Sequence, residues 1–239
     1  MMGFILLLAL IPAAICAPVS SPGDCTDVYN VDPVHSGVYS IHTAGRVQVY
    51  CDMGSEEQSV RWTVIQRRII GTVDFYRGWD QYRAGFGKPS GGFWLGLENI
   101  HVLTQRKSYE LKVVMEDFEG NKTHVYYSTF SVGPEEDGYK LQVGGFRSGT
   151  RGPAAGDSFA DHDGMKFSTF DKDQDRDVGL NCAEVYHGGW WYNGCHAANP
   201  NGGYYPGGTS PYGIGINWKT WRGFQYSLKS IEMKIRPKE

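Results

Sequence analysis

Apolar and polar positions alternate over several short stretches bounded by turn residues, and a period of two predicts strands. The first group is Val38 to Ile41, Val47 to Met53 and Arg61 to Arg67. From Trp79 to Phe86 the spacing lengthens to the helical period, with Trp79, Tyr82, Arg83 and Phe86 on one side. Leu97 to Gln105 is a second short helix. Strands return at Tyr109 to Met115, His124 to Phe130 and Tyr139 to Gly144. Tyr226 to Ile235 is a closing strand, with Tyr226, Leu228, Ile231, Met233 and Ile235 as its apolar positions. Strands mixed irregularly with a few helices imply an α+β fold. Residues 145–222 are glycine-rich and carry few periodic runs. So long a loop-rich stretch needs a disulfide or a metal to order it.

The amino-terminal pattern is different. Phe4 to Ala9 is wholly apolar, and the run continues through small residues to Cys16. It is too short to span a bilayer and ends as a secretory signal peptide does, although its positive region is the amino terminus alone. Cleavage after Cys16 puts Ala14 and Cys16 at the small-residue positions. Residues 1–16 are therefore expected as signal peptide, 17–23 as a short linker and 24–239 as one domain. No later stretch reaches transmembrane length, so a membrane is not an expected partner.

Charge and cysteine content refine this picture. A net charge of −3 leaves no electrostatic footprint for nucleic acid or an anionic bilayer. With 32 glycines and 14% aromatic residues, long loops pinned by rings fit better than a helical bundle. Loss of Cys16 leaves Cys25, Cys51, Cys182 and Cys195, an even set that in an exported protein reads as two disulfides of open connectivity. We favour the local pairs, Cys25 with Cys51 and Cys182 with Cys195, because each closes a short loop. Zinc on Cys182, Cys195, His187 and His196 is disfavoured, since no Cys-x-x-Cys occurs.

The most pointed chemical signal is the run from Asp171 through Asp173 and Asp175 to Asp177. Alternating carboxylates can wrap a hard cation that wants several oxygens. The run fails as an EF-hand: Arg176 stands where glycine is required and Cys182 where glutamate is. A cation here would therefore need backbone carbonyls; otherwise the run is a solvated acidic loop. Asn121-Lys122-Thr123 is an N-glycosylation sequon between two predicted strands.

Signals for catalysis are weak. Gly156-Asp157-Ser158 is followed by Phe159, Gly-x-Ser-x-Gly is absent, Cys195 and His196 are adjacent, and Glu135-Glu136-Asp137 reads as a solvated turn. The protein is expected not to be an enzyme. The rings of Trp190, Trp191, Tyr192, Tyr204, Tyr205, Tyr212, Trp218, Trp221 and Phe224 are mostly core, with two or three left to line a site.

A set of motifs resembles a fibrinogen-like C-terminal domain, with ficolins and tachylectins as more distant relatives. They are Phe75-Tyr76-Arg77-Gly78-Trp79, Phe93-Trp94-Leu95-Gly96-Leu97, Phe167-Ser168-Thr169-Phe170-Asp171, Asn181-Cys182-Ala183, Trp190-Trp191-Tyr192, Cys195-His196, Asn201-Gly202 and Met233-Lys234-Ile235-Arg236-Pro237. They run in family order from residue 24 to 237.

The resemblance implies a small N-terminal part, a central sheet and a loop-rich part that binds calcium. It assigns the ion to the side chains of Asp173 and Asp175 and to carbonyls near Asp177 and Gly179. The segment from Asp171 to Cys182 is one residue longer than in most relatives. An acetyl-group pocket is implied at Tyr186, Gly194, Cys195, His196, Tyr212 and Gly213. It also supports the two local disulfides.

The expected function is that of a secreted, calcium-dependent, lectin-like homo-oligomer. Its expected partners are acetylated carbohydrates or extracellular-matrix proteins of elastic fibres or collagen. The alternative is a soluble innate-immune lectin of ficolin type; a secreted hydrolase is remote. Arg-Gly-Asp does not occur, the nearest match being Pro22-Gly23-Asp24.

Overall fold

The computed structural model describes residues 21–32, 35–54, 61–150 and 152–238, so the signal-peptide reading lies outside the described residues. In sequence order the elements are α1 (Cys25–Val31), β1 (Gly37–His42), β2 (Arg46–Asp52), β3 (Trp62–Arg68), α2 (Trp79–Ala84), β4 (Phe86–Gly87), β5 (Phe93–Trp94), α3 (Leu97–Arg106), β6 (Tyr109–Glu116), β7 (Lys122–Val132), β8 (Leu141–Ser148), α4 (Cys182–Val185), β9 (Ala198–Asn199), β10 (Asn217–Trp218), α5 (Lys219–Arg222) and β11 (Ser230–Pro237). This is the α+β architecture that the periodicity predicts.

The main sheet runs β1-β2-β3-β11-β6-β7-β8, with β4 and β5 attached beside β3. Every pairing in it is antiparallel. The last strand, β11, enters the middle and pairs Ile231 with both Arg68 of β3 and Met115 of β6. Its alternation places Ile231, Met233 and Ile235 in the core. Helix α3 crosses one face of β7: Thr104 Oγ1 accepts from Val132 N–H at 3.1 Å, and His101 Nδ1 meets the Val132 carbonyl at 2.9 Å.

Both local disulfides are present, Cys25–Cys51 and Cys182–Cys195, each with a Cα separation of 5.5 Å. The second bond removes the zinc alternative, because its two thiolate ligands are bonded to each other.

Four boundaries differ from the periodic reading. Helix α1 has too few turns to show a period. It exists because Asp24 caps it, accepting from the N–H groups of Thr26 and Asp27 at 2.9 and 3.1 Å. Helix α2 stops at Ala84, and Phe86 turns into β4. Gly85 lies at φ 95°, where a Cβ would stand 2.5 Å from the Leu95 carbonyl oxygen. Strand β8 starts at Leu141, because Tyr139 sits at φ 49° after the short 3-10 turn Glu135–Asp137. Strand β11 starts at Ser230; Tyr226 instead makes an isolated bridge with Thr209.

The backbone is held from Pro22 onward, whose carbonyl accepts from His42 N–H at 2.8 Å. Asp24 is fully buried and does more than cap α1. It accepts from the Tyr109 hydroxyl at 2.6 Å and from Lys107 Nζ at 2.9 Å. Asp24→Ala would remove the cap and leave a buried hydroxyl unpaired. It should destabilise the fold by about 2–4 kcal/mol, read from the denaturant midpoint. A change below about 0.5 kcal/mol, the size of an ordinary surface substitution, would show that this hub contributes little.

Candidate functional site

The backbone leaves the buried Trp190-Trp191-Tyr192 run through Asn193, Gly194, Cys195 and His196, with a cis peptide between Gly194 and Cys195. Asn193 N–H donates to the Cys195 carbonyl at 2.7 Å, and Asn193 Nδ2 donates to the Asp161 carbonyl at 3.1 Å. These bonds fold the segment back on itself, so that its side chains face one concavity. Tyr186 lies edge-on to His196, with ring centroids 4.6 Å apart at 85°. Gly213 closes the far side at φ 74°, where any Cβ would stand 2.5 Å from the Tyr186 ring. Tyr212 next to it is 60% exposed and leans on Phe224, 4.9 Å between centroids.

The resulting cavity holds about 520 Å³ and is lined by Asp161, Arg176, Tyr186, Asn193, Gly194, Cys195, His196, Tyr212, Lys219 and Phe224. That volume suits a small ligand. Five of the six pocket positions named from the sequence line this cavity, and the sixth, Gly213, stands behind them with its carbonyl bonded to His196 Nε2. Asp161, Arg176, Asn193 and Lys219 were not foreseen. Asn193 adjoins Gly194, whereas Asp161, Arg176 and Lys219 come from separate segments, and no local spacing marks them.

Two histidines support this wall as neutral rings. Ala197 and Ala198 N–H both point at His162 Nε2, at 3.3 and 3.1 Å, so that nitrogen must accept. Nδ1 then carries the proton and donates to the Trp191 carbonyl at 2.7 Å. Burial pushes the His162 pKa down to about 4. His196 Nε2 donates to the Gly213 carbonyl at 3.0 Å, while its Nδ1 is shielded and has no partner among the described residues. Burial, reinforced by His162, pushes the His196 pKa down to about 3.

The acidic run lies beside this wall. Arg176 N–H donates to the Asn193 carbonyl at 2.9 Å. Asp175 Oδ2 accepts from the N–H of Cys182 at 2.8 Å, and Cys182 is bonded to Cys195. Burial, with Asp173 alongside, raises the Asp175 pKa to about 6. Burial first, and the charge of Asp173 second, disfavour the ionised form of Asp175, and a cation shared by the two would offset both.

Among the described residues no three His, Cys, Asp or Glu side chains converge into a ready metal cage. A cation would thus need backbone oxygens as well, and the carbonyls of Asp177 and Gly179 accept no hydrogen bond from any described residue. The donor set of Asp173, Asp175 and these two carbonyls is all oxygen, which suits calcium.

The family follows from comparison with known proteins. The family model for the C-terminal globular domain of fibrinogen beta and gamma subunits matches residues 21–238. The protein belongs to this fibrinogen C-terminal domain family.

Within it, the sequence is similar to microfibril-associated glycoprotein 4. The human protein of that name is 48% identical over 226 residues, covering 91% of this chain and 86% of that one. Fibrinogen C domain-containing protein 1-A of Xenopus laevis is 49% identical over 230 residues, covering 93% of this chain. This chain spans only about half, 49%, of that relative's length. Among solved structures, the fibrinogen-like globe domain of human ANGPTL2 superposes with a TM-score of 0.85 at 42% identity, covering 91% of this chain and 100% of that one. Lamprey fibrin D-dimer, complexed with the peptide Gly-His-Arg-Pro-amide, gives 0.83 at 36% identity, covering 92% of this chain and 74% of that one.

The fibrinogen-like fold also places the sequon. Asn121 is exposed at the β6–β7 turn, its Nδ2 donating to Asp117 Oδ2 at 2.9 Å, while Thr123 is buried and donates to the Pro153 carbonyl at 2.5 Å. Of the rings, Trp190, Trp191, Tyr192 and Trp218 are core, and Tyr186, Tyr212 and Phe224 face the cavity.

The neutral histidines fix a pH dependence. Unfolded, each takes a proton near its ordinary value of 6.5; folded, they resist until about 4 and about 3. Between these limits the unfolded state binds more protons, so stability is complete above 6.5 and falls as pH drops. Asp175, with its raised pKa, acts in the opposite direction. Melting temperature should therefore fall more steeply between pH 6.5 and 5 in the wild type than in His162→Gln; parallel curves would contradict a buried neutral His162.

Proposed function

We propose that this protein is a secreted, calcium-dependent, lectin-like binder of acetylated glycans or extracellular-matrix proteins, and that it performs no catalysis. The observation that carries the reading is the convergence of Tyr186, Gly194, Cys195, His196 and Tyr212 on one cavity of about 520 Å³, with Gly213 packed against Tyr186 behind it. Rings beside a neutral imidazole suit an apolar methyl next to a polar carbonyl. Names such as microfibril-associated glycoprotein 4 among the relatives support an extracellular role.

The groups a hydrolase would use are otherwise engaged. Cys195 is a disulfide half, and the Ser158 hydroxyl is bonded to that of Thr220 at 2.8 Å, with no histidine in that bond.

Calcium would be held by Asp173, Asp175 and the carbonyls of Asp177 and Gly179, supplying the positive charge that lets the two carboxylates sit together. The loop it orders bonds to Asn193 and, through Cys182, to Cys195. Ligand binding therefore depends on the ion without touching it.

Two experiments test this reading. Tyr212→Ala should cost roughly 1–3 kcal/mol of binding and leave the melting temperature unchanged, because the ring is largely exposed. Retention on an N-acetylglucosamine resin equal to that of the wild type would place the ligand elsewhere. Chelation should lower melting temperature and retention together, since an ion at a hundredfold its dissociation constant adds about 2.7 kcal/mol. Calcium should restore both in the wild type but not in Asp173→Asn with Asp175→Asn. If EDTA changes neither, the run is only a solvated loop.

A further inference from the structure

We propose that one face of the main sheet, from Lys112 to Lys238, binds a linear sulfated polysaccharide. The site shares no residue with the cavity beside Cys195 and does not rest on the reading of that cavity.

Register sets this face. On β11, Lys234 and Arg236 alternate with the core residues Met233 and Ile235, so they lie on the side away from the core. Lys238 continues the alternation, because its N–H donates to the Ser108 carbonyl at 2.9 Å in line with the β11–β6 ladder. Across the sheet, Lys234 stands opposite Lys112 of β6, Lys112 opposite Tyr126 of β7, and Tyr126 opposite Arg147 of β8.

Like charges directly opposite each other destabilise an antiparallel pair. Lys234 is offset by Asp52 at 2.5 Å and Glu232 at 3.0 Å. Lys112 is not. It makes no hydrogen bond or ion pair with a described residue and lies against two rings, 5.3 Å from the centroid of Tyr126 and 6.0 Å from that of Trp62. Asp52 feels its charge but is bonded to Lys234. Arg147 and Arg236 share the one carboxylate of Glu110. Three cations therefore face a single acid, a local conflict of the kind expected where a ligand supplies the missing charge.

The face ends in a concavity of about 420 Å³ between the last turn of α3, the start of β6 and the end of β7. Its lining includes Arg106, Lys107 and Lys238 and no acid. Lys107 is neutralised by Asp24 and Asp27 at 2.9 and 2.8 Å. Arg106 donates to the carbonyls of His42 and Thr43, which leaves its charge unbalanced. Ser108, Thr129 and Gln142 add hydroxyls and an amide. From Lys112 to Ser108 is four steps along β6, about 14 Å at roughly 3.4 Å per residue.

Cations in a line, leading to hydroxyls and an amide, match an extended chain of sugars carrying sulfate esters. A guanidinium takes two sulfate oxygens at once, and an ammonium supplies a point charge. The whole protein carries a net charge of −3, so the attraction belongs to this face alone.

The test is titration of the full-length protein with a heparin-derived octasaccharide at low salt, with N-acetylglucosamine in excess to occupy the other cavity. Binding should weaken as salt rises to about 0.5 M. Lys112→Gln with Lys238→Gln should weaken it roughly tenfold. Lys88→Gln with Lys166→Gln removes the same charge elsewhere and should change it less than about twofold. Equal melting temperatures show that both variants are folded. Arg147→Gln is a second variant, because that side chain is 63% exposed and Glu110 keeps Arg236; a loss of about threefold is expected. No binding by the wild type, unchanged affinity in the first double variant and in Arg147→Gln, or equal loss in both double variants would overturn the site. Equal affinity for single-stranded DNA of matched charge would overturn the polysaccharide assignment. Retention on an N-acetylglucosamine resin reports on the acetyl reading separately, so the two can fail independently.

Discussion

The loop-rich third of the molecule, residues 145–222, depends on the burial of Trp190, Trp191 and Tyr192. Few strands cross this region, so its backbone entropy, about 1–2 kcal/mol per residue, must be offset by something other than a sheet ladder. The rings do this on both sides. Trp190 stacks on Phe159 at 5.2 Å, and Trp191 meets Phe167 at 5.0 Å and Trp94 at 6.1 Å. Trp191 Nε1 donates to the Tyr139 carbonyl at 2.8 Å, which fastens the run to the segment just before β8. Each ring pair adds about 0.5–1.5 kcal/mol beyond the area it buries. Because the run continues directly into Asn193 to His196, the same burial sets the position of the cavity wall.

What could be read from the sequence follows from how local each feature is. The strands β2, β3, β6 and β7 showed as alternation because one face, or both, is buried along their length. The pocket residues showed through motif order, since Tyr186 and the Cys195-His196 pair fall within the span that the Trp190-Trp191-Tyr192 run anchors. Helix α1 did not show, because a cap and a disulfide hold it, not a repeating stripe. Phe86 kept the helical spacing of Trp79 and Tyr82, yet Gly85 breaks the helix first. Lys219 and Asp161 were invisible for a different reason: they reach the cavity through tertiary folding, and an exposed lysine or aspartate carries no mark of what it faces.

The acidic run and the cavity are joined by short bonds and not merely adjacent. From Arg176 N–H to the Asn193 carbonyl is a single hydrogen bond, and from Asp175 through Cys182 to Cys195 is one hydrogen bond and one disulfide. A displacement of the loop therefore has little slack in which to dissipate before it reaches the wall. Within this link the Asp175 carboxyl is disfavoured as an anion, chiefly by its burial and secondarily by the charge of Asp173.

Charge is distributed in two layers around the cavity. The inner layer is neutral: His162 is locked by two N–H donors into a single tautomer, and His196 is held neutral by burial. A wall of rings and neutral imidazole offers a ligand shape and hydrogen bonds but no net field. The outer layer, Arg176, Lys219 and Asp161, is exposed and charged. Buried neutral contacts change little with salt, whereas exposed charges lose most of their reach within a Debye length of about 8 Å at physiological ionic strength. Contacts to the inner layer therefore persist across ionic strengths, while the pull of the outer layer weakens as salt rises. The two layers therefore answer to different variables, the inner one to pH and the outer one to salt, and either can change by substitution without rebuilding the other.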